Sequence, residues 1–125
     1  MTGLADDSAR ALLLFGATPP RQANDEAKSR RITERRTERF ARMDIDALIL
    51  YEIQDESSRT DEERPFPYLP TIDPLVYSRD YLTASSIADL PRIVYRAVAA
   101  HRPEDVRGFL RALDPSREAA VLVGA

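Results

Sequence analysis

The sequence predicts an α/β fold built from parallel β/α units. Two observations carry this: four short apolar runs that are continuous rather than alternating, and helix-start signals in the stretches between them. The runs are Ala11 to Ala17, Ala47 to Ile53, Ile93 to Ala100 and Ala119 to Ala125, and they predict strands near residues 11–17, 47–53, 92–98 and 119–124. Continuous apolar runs are how strands buried on both faces of a parallel sheet read. A buried helix is the competing reading, but the runs are short and rich in β-branched and aromatic residues. Strand, helix, strand, helix in this order implies right-handed crossovers, the unit of both closed barrels and doubly wound sheets. At 125 residues the chain has about half the length of a complete eight-stranded barrel.

The first run closes on Gly16-Ala17-Thr18-Pro19-Pro20. A phosphate cradle would need exposed amides there, and two prolines donate none, so a stiff strand-to-helix turn is the better reading. Asn24, followed by Asp25 and Glu26, predicts an N-cap and acidic first turn, opening a charged helix to Arg42 whose apolar stripe is thin: Ile32, Phe40 and Met43. Asp73-Pro74 predicts a second helix, with aspartate as cap and proline at the first helical position. Pro103-Glu104-Asp105 opens a third, in which Val106, Phe109, Leu110 and Leu113 fall at helical spacing on one face. Between the second strand and second helix, Gln54 to Ile72 is the longest irregular stretch, and its three central prolines, Pro65, Pro67 and Pro70, favour an extended path.

Composition removes several function classes. With no cysteine there are no disulfides, thiolate nucleophiles or Cys-ligated metals, and a single histidine, His101, leaves no His-rich metal site. No apolar run approaches the roughly 20 residues that span a bilayer, and the N-terminus lacks the basic start of a secretory signal. A cytoplasmic protein is expected, without membrane contact. The net charge of −3 argues against a nucleic-acid binder. Charge is unevenly placed: Arg21 to Arg42 carries net +4 and Glu52 to Arg64 net −4, so the two segments can attract each other. The basic helix is interleaved with acids and lacks stacking aromatics, which reads as a solvated outer face rather than an RNA or membrane contact.

The richest polar cluster is Tyr51 to Thr60, just beyond the second predicted strand. Its carboxylates, amide, hydroxyls and guanidinium can orient a polar heterocycle and transfer protons, and strand ends are where parallel barrels place chemistry. A solvated loop stapled by an Asp–Arg pair is the alternative. Arg96 interrupts an apolar strand, where an unpaired charge is costly, so it should meet an acid or an anionic ligand, with Asp55 or Glu56 the candidate partner. His101 has no partner motif and reads as a residue at the start of the third helix.

The segment Met43 to Thr60 (MDIDALILYEIQDESSRT), continued by Arg64 to Pro74 (RPFPYLPTIDP) and Tyr77 to Tyr81 (YSRDY), resembles a bacterial branch of the methylenetetrahydrofolate reductase family. Phe15 to Pro20, Val94 to Val98 and Val123 to Ala125 are similar to the same branch in the same order. The resemblance implies a TIM-type (β/α)8 barrel, of which residues 1–125 form about half. It also implies FAD held at the strands' C-terminal ends, and reduction of methylenetetrahydrofolate to methyltetrahydrofolate with NAD(P)H. On such a barrel Asp55 and Glu56 are expected as catalytic carboxylates, Tyr51 and Arg96 as cofactor contacts, and Thr18, Gln54 and Arg59 as substrate contacts, with no metal. Two departures stand out. The family's first-strand glutamate, its proton donor, is matched here by Gly16, and the family's Arg-Gly-Asp type motif after the fourth strand is not reached before Ala125. The expectation is an N-terminal half that is inactive alone. Its rival is a non-catalytic half-barrel that works by pairing, either as a homo-oligomer or with a completing chain.

Overall fold

The computed structural model describes residues 11–52 and 70–124. Four strands, β1 (Leu14–Ala17), β2 (Ala47–Leu50), β3 (Arg92–Ala97) and β4 (Glu118–Val123), form one sheet in the order β1-β2-β3-β4 with every pairing parallel. Helices α1 (Glu26–Ala41), α2 (Pro74–Asp80) and α3 (Pro103–Ala112) fall in the three connections. The predicted parallel α/β architecture is therefore what the chain adopts. Strand order follows chain order with no reversal, unlike the crossing order of a doubly wound sheet.

Strand alternation divides the sheet into two faces. Leu48 pairs with Arg92 and Leu50 with Val94, so these four side chains, with Arg96 two residues on, share one face. The contacts of all three helices fall here. Phe40 of α1 meets the Phe15 ring at 5.3 Å and packs with Leu48, Leu50 and Tyr77 of α2 in the main core cluster. From α3, Phe109 lies under the Arg96 guanidinium at 4.2 Å. The opposite face carries Leu14, Gly16, Ile49, Ile93, Tyr95, Val121 and Val123.

Two helix starts are as the sequence predicts. Asp73 caps α2, its Oδ1 accepting from the Leu75 and Val76 amides at 2.9 and 3.3 Å, with Pro74 at the first helical position. Pro103 opens α3 and buries Val106 and Phe109. The cap of α1 moves by one residue from the expected Asn24. Asp25 accepts from the Lys28 amide at 2.7 Å and its carbonyl takes the first helical bond, whereas Asn24 closes a turn onto Arg21. Nor does α1 pack through an apolar stripe. Its buried face is Ser29, Thr33, Thr37 and Phe40, and the Thr33 hydroxyl bonds both the Ser29 carbonyl and the Tyr77 hydroxyl at 2.8 Å.

The strands are shorter than the apolar runs. Of the predicted 11–17 only Leu14–Ala17 pairs, β2 stops at Leu50, and Val98 turns into a single 3-10 turn through Ala100. Nor are all four buried on both faces: as the sheet's two edges, β1 and β4 leave Leu14, Val121, Leu122 and Val123 exposed. Between α1 and β2, Asp44 takes the left-handed conformation (φ 53°), which aspartate tolerates better than most residues.

Candidate functional site

The C-terminal ends of β1, β2 and β3 gather two different groups of side chains, one on each face. On the helix-covered face, Glu52, just beyond β2, is the hub of a buried ionic knot. Its Oε1 lies 3.1 Å from Arg96 Nη1 and 2.6 Å from His101 Nε2, and its Oε2 accepts from the Ala97 amide at 2.5 Å. Arg96 reaches on to Asp73, with Nη1 to Oδ2 at 2.5 Å and Nη2 to Oδ1 at 3.2 Å. The side chains of Glu52 and Arg96 are 4% and 6% exposed, so water screens their attraction little.

This knot ties three elements together. Because Asp73 is also the α2 cap, Arg96 clamps the start of α2 to the middle of the sheet, and Glu52 joins the end of β2 to β3 and to the approach to α3. Burial alone would raise the Asp73 carboxyl. The hydrogen bond and charge of Arg96, with the Val76 and Leu75 amides, outweigh burial and hold it below the usual carboxylate range. Burial likewise works against the Arg96 charge, but Asp73 and Glu52 together raise the guanidinium above its ordinary value.

A folded-state carboxyl held low contributes stability that is fully present above the unfolded value of about 3.9 and is lost as pH falls through the lower folded value. Asp73→Asn should therefore melt below the wild type at neutral pH, yet lose less on acidification from about pH 5 to pH 3. Thermal melts across that range check it; equal acid sensitivity in the two proteins would remove Asp73 as a source of it.

The other group stands on the face opposite the helices. Tyr51 and Tyr95 are adjacent across β2 and β3, since Leu50 is in register with Val94, and their rings meet edge to face at 5.1 Å and 78°. The Tyr51 ring leans across β1 at Gly16, where a Cβ would fall 2.5 Å from its Cε2 and 2.6 Å from its hydroxyl. Behind β1, Arg36 Nη1 of α1 donates to the Thr18 carbonyl at 2.5 Å. Gln22 donates to the Pro70 carbonyl and Ile72 to the Pro20 carbonyl, pinning the chain's return from residues 53–69 beside the end of β1.

Of the side chains singled out in the sequence, Thr18, Tyr51 and Arg96 lie at this end of the sheet, while Gln54, Asp55, Glu56 and Arg59 lie outside the described residues. Arg96 is partnered by Asp73 and Glu52; the expected partners Asp55 and Glu56 lie outside the described residues. His101 stands just ahead of α3, as expected, and is bonded to Glu52. The pairing of Tyr51 with Tyr95 was also not anticipated. Its signal was available, as both tyrosines stand near the ends of apolar runs.

At the opposite end of the sheet stands a second buried arginine, Arg92, which precedes its apolar run. Arg92 donates through Nη1 to the Ala88 and Leu90 carbonyls at 2.6 and 3.0 Å and through Nη2 to the Ser78 carbonyl at 3.1 Å. Its strand neighbour Glu118 accepts from the Ser78 hydroxyl and the Asp114 amide, both at 2.8 Å, and pairs with Arg79. Among the described residues no group of three or more His, Asp or Glu side chains is poised to hold a metal ion, and no helix is long and apolar enough to cross a membrane.

No family model matches the chain, and no curated protein matches it. Among solved structures it is similar to an uncharacterized protein from Clostridium thermocellum that binds two copies of 5-methyl-5,6,7,8-tetrahydrofolic acid. The TM-score is 0.71 at 32% identity, over 91% of this chain and 34% of that one. The chain thus spans about a third of that protein's length.

Proposed function

We propose that this chain contributes four strands, and the three helices between them, to a barrel-type protein that binds a reduced folate at the C-terminal ends of its strands. The observation that carries the reading is the 32% identity, spread over 91% of the chain, to a protein that binds 5-methyltetrahydrofolate. Two features of the fold support it. Strand order follows chain order, and the three helices contact one face, as in a barrel whose other face becomes the interior. The ionic knot fixes the strand ends, which is the rigidity a binding site at those ends needs.

A narrower form, in which FAD and NAD(P)H supply electrons to the folate, rests on the sequence resemblance. The described residues fit a flavin only in part. Tyr51 offers a ring face, but the Arg96 guanidinium is taken by Asp73 and Glu52 on the helix-covered side, and the turn after β1 is proline-rich. Pairing with a further chain is a second reading, favoured by the exposed apolar side chains of β1 and β4.

The test is calorimetric titration of the 125-residue chain with 5-methyltetrahydrofolate, with FAD titrated separately and the solution mass measured by light scattering. Saturable folate binding, with FAD bound weakly or not at all, is the expected result. A dimer that ignores folate would favour the pairing reading, and a monomer that ignores it would leave neither standing.

A further inference from the structure

We propose that Tyr51, laid across Gly16 and braced by Tyr95, is the surface on which the pterin ring of the folate stacks. This rests on the folate reading above and assigns the part of the ligand that meets these side chains. Three observations place an aromatic platform here. Tyr51, directly after β2, and Tyr95 on β3 stand side by side on the face opposite the helix contacts, toward the C-terminal end of the sheet. In an edge-to-face pair at 78° the contact uses one face of one ring at most, so ring faces remain for a ligand. Finally, Tyr51 is 37% exposed although it directly follows a central strand.

Gly16 makes this arrangement possible. Any side chain at position 16 would have its Cβ 2.5 Å from the Tyr51 ring and would push the ring off β1. With hydrogen there, the ring edge rests against backbone and its motion is restricted from the β1 side, while Tyr95 restricts it from the β3 side. A ring held in advance loses little entropy when a ligand stacks on it. The flat pyrimidinone half of a reduced pterin matches such a surface, because stacking asks only for a π-face while the heterocycle's polar edge stays free to hydrogen-bond.

The experiment compares 5-methyltetrahydrofolate affinity, by calorimetry on the full chain, among wild type, Tyr51→Phe, Tyr51→Leu and Gly16→Ala, with far-UV circular dichroism confirming each fold. Tyr51→Phe should bind within about threefold of wild type, because the π-face remains. Tyr51→Leu keeps apolar bulk but no ring and should weaken binding about tenfold or more. Gly16→Ala keeps the ring but displaces it and should weaken binding by a similar factor. Wild-type affinity in both Tyr51→Leu and Gly16→Ala would overturn the platform while leaving folate binding intact. A wild-type chain that takes up no folate would remove the folate reading and this inference with it.

Discussion

Replacing Arg92 with methionine is expected to cost about 3–5 kcal/mol of folding stability, read as a fall in melting temperature of roughly 10–20 °C. Arg92 is 1% exposed, and its two terminal nitrogens satisfy the carbonyls of Ser78, Ala88 and Leu90. Methionine fills much of the same volume but donates nothing, so those carbonyls lose their partners in a place water reaches poorly. The charge is lost too. Burial lowers the Arg92 guanidinium below its ordinary value, against the raising influence of Glu118, so the cation is held in place by its surroundings rather than by solvent. Its removal leaves Glu118 with Arg79 as its cationic partner. Arg92→Lys should recover only part of the loss, since one ammonium cannot span carbonyls that the planar guanidinium reaches from two nitrogens. Denaturant and thermal unfolding of both variants measure this, and a methionine variant within about 1 kcal/mol of wild type would show that the carbonyls find other partners.

The second large effect is expected at the other end of the same strand. Arg96→Leu should cost about 3–5 kcal/mol, because it takes the guanidinium away from the Glu52 carboxylate, which is even more buried than the guanidinium itself. Further losses are the clamp on the α2 cap through Asp73 and the stacking over Phe109. Removing the buried carboxylate charge as well should restore part of the stability, so Arg96→Leu combined with Glu52→Gln should lie above Arg96→Leu alone. The cost should also change little between about 0.1 M and about 1 M salt, since ions screen exposed pairs far more than buried ones. A double variant no better than the single, or a cost that vanishes in high salt, would mark the pair as a surface contact without structural weight.

What could be read from the sequence divides by the range of the interaction. The four strands were legible because each apolar run is local, and the α2 and α3 starts because Asp73-Pro74 and Pro103 act within a few residues of themselves. The buried face of α1 was not, because Ser29, Thr33 and Thr37 count as polar in any hydropathy reading. Thr33 and Thr37 are buried here because hydroxyls that bond the helix's own carbonyls or Tyr77 carry no unmet demand for water, and Ser29 is small enough to sit under the sheet although its hydroxyl finds no such bond. For Arg96 the sequence correctly demanded an acid, and Glu52 and Asp73 supply two. That these two acids meet Arg96 is set by the register of β2 with β3, which no single chain segment encodes. Tyr51 and Gly16 were visible separately as a strand-end aromatic and a glycine, but only the β1–β2 pairing makes one the reason for the other.

The register of the sheet also has a kinetic meaning. Leu14 pairs with Ala47, Leu48 with Arg92, and Arg92 with Glu118, so no strand can find its neighbour before a loop of several tens of residues has closed. Closure costs least for the shortest loop, the one that carries α3, and the β3–β4 ladder it completes is also the longest, with six residue pairs in register. The β2–β3 closure is the most expensive of the three, and it is the junction at which Glu52 and Arg96 meet. The ionic knot therefore locks the step that conformational search makes slowest, and reopening that junction means separating two buried charges.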